Sequence, residues 1–179
     1  MQISKNFKMK KAVIIISLFM TSVSFAQTLE VTDALYENGY PKSIKTYKES
    51  TNKYELVRET QWHKNGQQKE QATYRNGQRN GKWIKWNENG RKVLEGTYVK
   101  GKKNGLFTFY NEDEKIEKEI KYDKENVIED IRYTYHSNGE RKSRESWIDG
   151  KKNGLYIGWY DNGNKSDEKN YKDGLAYGK

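Results

Sequence analysis

One period governs the chain and limits it to a stack of small units. The aromatic residues Trp62, Trp86, Tyr110, Tyr135 and Trp159 follow one another at intervals of 24, 24, 25 and 24 residues, and Tyr36 lies a further 26 upstream. Most precede an Asn-Gly pair, which places a glycine column at Gly39, Gly66, Gly90, Gly139 and Gly163. A second column holds Gly77, Gly101, Gly150 and Gly174, each preceded by Tyr74, Tyr98, Trp147 or Tyr171, and a third holds Gly81, Gly105, Gly154 and Gly178. A fixed period of this length is the mark of a repeat architecture, in which each unit buries its surface only against its neighbours.

The content of one period selects the unit. Asn-Gly suits a tight two-residue turn with positive φ at both central positions, and the segments between turns, such as Lys69 to Tyr74, have ordinary strand length. Each unit therefore reads as a β-hairpin, and the expected fold is all-β: stacked antiparallel hairpins forming an elongated, twisted sheet. Six units begin near residues 36, 62, 86, 110, 135 and 159, within a single domain spanning 27–179. Alternation places Ile84 with Trp86, Thr108 with Tyr110, and Ile157 with Trp159 on one face, and Trp83, Phe107 and Tyr156 on the other. A leucine-rich repeat lacks its Leu-x-x-Leu-x-Leu core here, and the glycine frequency excludes a helical repeat.

Hydrophobic residues make up only 33% of the chain, a level at which a core is thin. All 5 Trp and 14 Tyr lie beyond residue 26, and these large side chains favour pleated surfaces and supply much buried area each.

Unit four departs from the period. It reads Asp113-Glu114 in place of Asn-Gly, and Glu125 and Glu129 stand where its siblings have the second and third glycines. Two readings stay open: a degenerate unit with a looser, longer connection, or a bent region that makes a partner site. The first unit carries extra residues around Glu49 to Tyr54 and the last ends in a shortened strand, both expected of caps that blunt a sheet edge.

Residues 1–26 read as a signal peptide. Lys5, Lys8, Lys10 and Lys11 precede an apolar run from Ala12 to Met20, and Ser24-Phe25-Ala26 forms the exit, with cleavage expected after Ala26 and initiation at either Met1 or Met9. The run is shorter than the roughly 20 residues of a helical span. The expected location is secreted or periplasmic. With those four lysines removed, 30 basic residues face 25 acidic ones, so the formal +9 becomes +5, mildly basic and unlike a nucleic-acid footprint. The absence of cysteine excludes disulfides, thiolate metal sites and a Cys nucleophile.

No constellation for chemistry stands out from the repeat. His63 and His136 occupy equivalent places beside a turn and read as turn residues. Neither has the converging partners that catalysis or metal binding needs. The adjacent acids Glu112-Asp113 and Glu129-Asp130 point to opposite faces of a strand and read as surface charge. Ser137, Ser143 and Ser146 lack an oxyanion motif. No catalytic residue, metal ligand or cofactor is expected. The basic turns recur at the repeat period, so Lys102, Lys103, Lys151 and Lys152 are candidates for an edge meeting an anionic glycan or lipid surface, or for protection of that edge against pairing. The aromatics Trp62, Trp86, Tyr110, Tyr135 and Trp159 are expected to be structural.

The run from Trp62 to Gly105, WHKNGQQKEQATYRNGQRNGKWIKWNENGRKVLEGTYVKGKKNG, resembles the bacterial MORN-repeat variant family, with its Tyr-x-x-Asn-Gly and Tyr-x-x-Gly-x-x-x-Gly-x-Trp segments. The resemblance extends from Tyr36 to the C-terminus and is weakest in unit four. It implies stacked β-hairpins in a single twisted sheet and a role as a scaffold or interaction surface. It also implies, more distantly, an antitoxin-like role in neutralising a toxin, or association with phospholipid. The leading expectation is a non-enzymatic, exported module of the cell envelope whose partner is another protein.

Overall fold

In a computed structural model that describes residues 28–50 and 53–178, the chain is an all-β meander of fourteen strands in one antiparallel sheet that does not close into a barrel. The signal-peptide reading falls on residues 1–26, outside the described residues. The strands are β1 (Thr28–Leu35), β2 (Pro41–Ser50), β3 (Lys53–Trp62), β4 (Gln68–Arg75), β5 (Gln78–Trp86), β6 (Lys92–Val99), β7 (Lys102–Lys103), β8 (Gly105–Tyr110), β9 (Ile116–Asp123), β10 (Asn126–Tyr135), β11 (Arg141–Ile148), β12 (Lys151–Trp159), β13 (Lys165–Lys172) and β14 (Leu175–Tyr177). Each strand pairs with the next in sequence, except that β8 pairs with β6 and the short β7 lies beside β6. At about 4.8 Å per strand the sheet runs roughly 58 Å from β1 to β14. The extra residues of the first unit are absorbed by lengthening β2 and β3 to 10 residues each.

The two turn columns lie on opposite edges, and the Asn-Gly column does not have the expected two-residue geometry. At the Asn-Gly column only the glycine has positive φ, 85° at Gly39 and Gly66. The loop there has three residues: Gly66 N–H donates to His63 O at 3.0 Å, and His63 N–H to Gln67 O at 2.8 Å. This is a type I turn followed by a left-handed residue. Asn65 is used differently, its Oδ1 accepting from Gln67 N–H at 3.1 Å, so the side chain rather than the backbone angle of asparagine makes it suitable. The two-residue turns with both φ positive are at the second column, at Asn76-Gly77 (51° and 74°), Lys100-Gly101 and Asp149-Gly150.

Those hydrogen bonds also correct the alignment of the first unit. Tyr36, His63, Asn87, Asn111, His136 and Tyr160 are equivalent, because each donates N–H to the residue four positions on. Leu35 therefore occupies the Trp62 position, and Tyr36 the His63 position.

Unit four is neither looser nor longer at its turns. Glu114 takes the glycine role with φ 60°, and Lys124-Glu125 form the two-residue turn with φ 48° and 79°. Left-handed backbone is costly for residues with a Cβ. At Glu125 the N–H donates to Lys103 O at 2.9 Å, as the sibling glycines Gly101 and Gly174 do to Arg79 O and Lys152 O, and a compensating bond is added by Oε1, which accepts from Lys103 N–H at 2.6 Å.

The faces follow the alternation read from sequence. Trp83, Tyr98 and Phe107 lie on one face, here the ring face, and pack with Tyr122 at centroid separations of 5.0 to 6.1 Å, edge-on except for the tilted Trp83–Phe107 pair. Ala72 completes this buried cluster, and Phe107, 1% exposed, is its centre. Gly96 makes the centre possible, since a Cβ there would lie 2.5 Å from the Phe107 ring. Ile84 and Thr108 are buried on the opposite face.

Candidate functional site

The Asn-Gly edge is a continuous hydrogen-bonded spine. Asn38, Asn65 and Asn138 each donate Nδ2–H to a backbone carbonyl of the following turn, Lys64, Glu88 and Asp161, at 2.6 to 2.8 Å. His63 Nε2–H reaches Trp86 O at 3.0 Å, and His136 Nε2–H reaches Trp159 O at 2.8 Å. A carbonyl only accepts, so both rings carry the proton on Nε2. Tyr36 makes the same link with its hydroxyl, to Trp62 O. The histidines thus tie one unit to the next, consistent with their reading as turn residues.

The acids and serines of the sequence reading do not converge. Glu129 faces Lys121 and pairs with Arg144 at 3.8 Å, whereas Asp130 faces Ile120 on the other face and pairs with Arg132 at 3.0 Å. Ser143 is buried against Thr134, and Ser146 Oγ–H donates to Leu155 O.

The four lysines of the proposed basic edge separate into two pairs. Lys102 and Lys151 are exposed. Lys103 and Lys152 turn onto the ring face, Lys103 at 4.9 Å from the Tyr122 ring centroid and Lys152 at 5.2 Å from Tyr156 and 5.4 Å from Tyr171. Lys152 is also paired with Glu145 at 3.0 Å. Arg79 belongs to the same column, 5.4 Å from Trp83 and bonded to Glu70 at 2.7 Å. A cation over an aromatic face is attracted by the ring quadrupole while its stem covers apolar surface. The edge itself alternates in sign, because Asp123, Glu125, Asp149 and Asp173 share it with the lysines. The structure does not bring the four lysines together as one anion-binding row.

The largest local departure is one the glycine columns alone conceal. Aligned by their turns, Arg79-Asn80-Gly81, Lys103-Asn104-Gly105 and Lys152-Asn153-Gly154 correspond to Val127-Ile128-Glu129. The siblings bulge here, with two extra residues on β5 and β12 and positive φ at the glycine. On β10 the bulge has one extra residue. Val127 is left 53% exposed and Ile128 49% exposed, the latter beside Ile148. Ile128, Glu129, Lys121, Trp147 and Ile148 line an open cleft of about 320 Å³. Comparing whole turn segments, rather than glycines only, would have revealed this in the sequence.

Neither the protein-family models nor the curated proteins contain a match to this chain.

On the face that carries Ile84, tyrosines and carboxylates pair across strands. Tyr110 donates to Glu95 at 2.6 Å, and Tyr133 to Glu119 at 2.7 Å. Burial and then the bond to Glu95 push the Tyr110 hydroxyl up to about 12. The same bond, assisted by Lys92, lowers the Glu95 carboxyl. Tyr133 is raised in the same manner, by burial and by Glu119.

Proposed function

We propose that the chain is a non-enzymatic interaction module of the cell envelope that presents the sheet around β8–β11 to another protein. The observation that carries this reading is the replacement of a cation-Asn-Gly segment by Val127-Ile128-Glu129, which exposes apolar side chains at the one internal break in the period. Exposed apolar groups gathered beside a cleft are a usual mark of a contact surface. The engagement of both histidines in the turn spine supports a structural use of residues that would otherwise suggest chemistry. Export rests on the lysine-rich, apolar opening of the sequence, and membership of the MORN-like variants on the repeat pattern. A glycan- or lipid-binding basic edge is disfavoured, because Lys103 and Lys152 turn away from the edge onto the ring face and the remaining edge charges alternate. An antitoxin-like role is the form this proposal takes if the partner is a toxin.

Affinity capture from an envelope extract, at low and at high salt, tests the proposal when the unaltered chain is run beside a Val127→Lys/Ile128→Lys variant. One discrete protein, held through high salt by the unaltered chain and lost by the variant, is the expected result. Equal capture by both chains, or retention only at low salt, would overturn it, since apolar contacts are not screened.

A further inference from the structure

The cations that lie over aromatic rings fall into two groups. Arg79, Lys85, Lys92, Arg132 and Lys152 are each paired with a carboxylate as well. Lys42, Lys103, Lys115, Lys118 and Arg141 have no carboxylate within ion-pair distance among the described residues, and of these Lys115 and Arg141 line one cleft of about 460 Å³ with Tyr135, Trp159 and Glu140. This volume lies in the range of small-molecule sites. The cleft belongs to the Asn-Gly edge, whereas Val127 and Ile128 follow a turn of the opposite edge.

The side chains in it are held in place. Arg141 stacks at 4.6 Å from the Tyr133 ring centroid and lies 5.9 Å from that of Trp159. Lys115 sits 5.3 Å from the Tyr135 ring, with Nζ–H donating to Gly139 O at 2.6 Å. Gly139 is required for that approach, as a Cβ there would collide with Nζ. The Tyr135 hydroxyl is fixed by donation to Ile116 O. Arg141 lies close enough to the Tyr135 hydroxyl to lower that group against the effect of its burial, and the rest of the stacked, solvent-exposed guanidinium is already ordered, which suits bidentate capture of a planar anion.

We propose that this cleft binds a hexuronate, a sugar ring bearing one carboxylate. Arg141 receives the carboxylate, with Lys115 adding charge. Trp159 and Tyr135 offer apolar surface to the carbon-hydrogen face of the ring, and Glu140 accepts from its hydroxyls. Two cations against Glu140 leave one net positive charge, which matches a single carboxylate better than a doubly charged phosphate. This inference concerns a site separate from the protein-binding surface and stands or falls independently of it.

The test is a titration of the purified chain with trigalacturonate, followed through the Trp159 indole and the backbone amides around Arg141 by NMR. Saturable shifts are expected there, and none with the neutral trigalactoside at equal concentration. Arg141→Gln is expected to weaken binding by about tenfold or more, the loss typical of a hydrogen-bonded charge. Arg141→Lys should restore only part, because it keeps the charge and loses the fork. Lys118→Gln, which removes a cation over Phe109 away from the cleft, should bind as the unaltered chain does. Thermal melts establish that each variant is folded. The proposal is overturned if the neutral sugar binds equally, if folded Arg141→Gln binds unchanged, or if inorganic phosphate or a triglutamate peptide displaces the sugar at lower concentration.

Discussion

Gly96→Ala provides a sharp probe of how a single-layer sheet holds a core. In an ordinary strand this change is favourable by about 0.5–1 kcal/mol, because glycine loses more backbone freedom on folding. Gly96 has no left-handed backbone to preserve, yet a Cβ there would stand 2.5 to 2.7 Å from three atoms of the Phe107 ring. That ring is 1% exposed and wedged among Trp83, Tyr98 and Tyr122, so it has nowhere to retreat. Overpacking of this kind costs about 1–3 kcal/mol. Phe107→Leu alone should cost about 1–2 kcal/mol through lost ring contacts and area. In the double variant the flexible side chain can turn aside, and the added methyl should become neutral or mildly favourable. A coupling of about 2 kcal/mol is expected from the double-mutant cycle, read as urea midpoints at constant slope. Additive effects within about 0.5 kcal/mol would refute the view that Gly96 exists to seat Phe107.

Glu114→Gly should stabilise the fold by about 0.5–1 kcal/mol in the same urea assay, since relief of a left-handed residue exceeds the entropy cost of glycine. Glu125→Gly should yield less or destabilise, because it removes the acceptor for Lys103 N–H; an equal gain at both sites would contradict the role assigned to that bond. For Tyr110, a folded value of about 12 against an ordinary 10 means that the unfolded chain ionises first as pH rises. Its contribution is complete below pH 10 and is lost from there up to about 12, so ultraviolet phenolate titration should show a late tyrosine whose midpoint falls in Glu95→Gln yet stays above the ordinary value, because burial remains.

What was legible in advance was whatever the chain repeats. Five or six copies of an aromatic and glycine pattern average out local ambiguity, so the stack of antiparallel hairpins and the two faces follow from periodicity alone. The turn types did not, because an Asn-Gly pair serves both a two-residue turn and the last positions of a three-residue one, and hydrogen bonds across the loop decide between them. The exchange of Leu35 and Tyr36 has the same origin: an aromatic at nearly the right interval was read as the column member, while the loop bonds put its neighbour there.

The sequence alone determined that this protein is a one-dimensional stack of β-hairpins, since glycine and asparagine at a fixed interval admit few other backbones. Tertiary structure alone decided what its charges do. Lys103 and Lys152 read as free edge cations until the ring face brought aromatic partners from successive strands beneath them. Arg141 was one unremarked residue among many until three strands and two turns left it stacked, unpaired and beside Trp159. Charge is a property of a residue, but its availability depends on which carboxylates and rings the fold places within a few ångströms, and that distance is not written in any single segment.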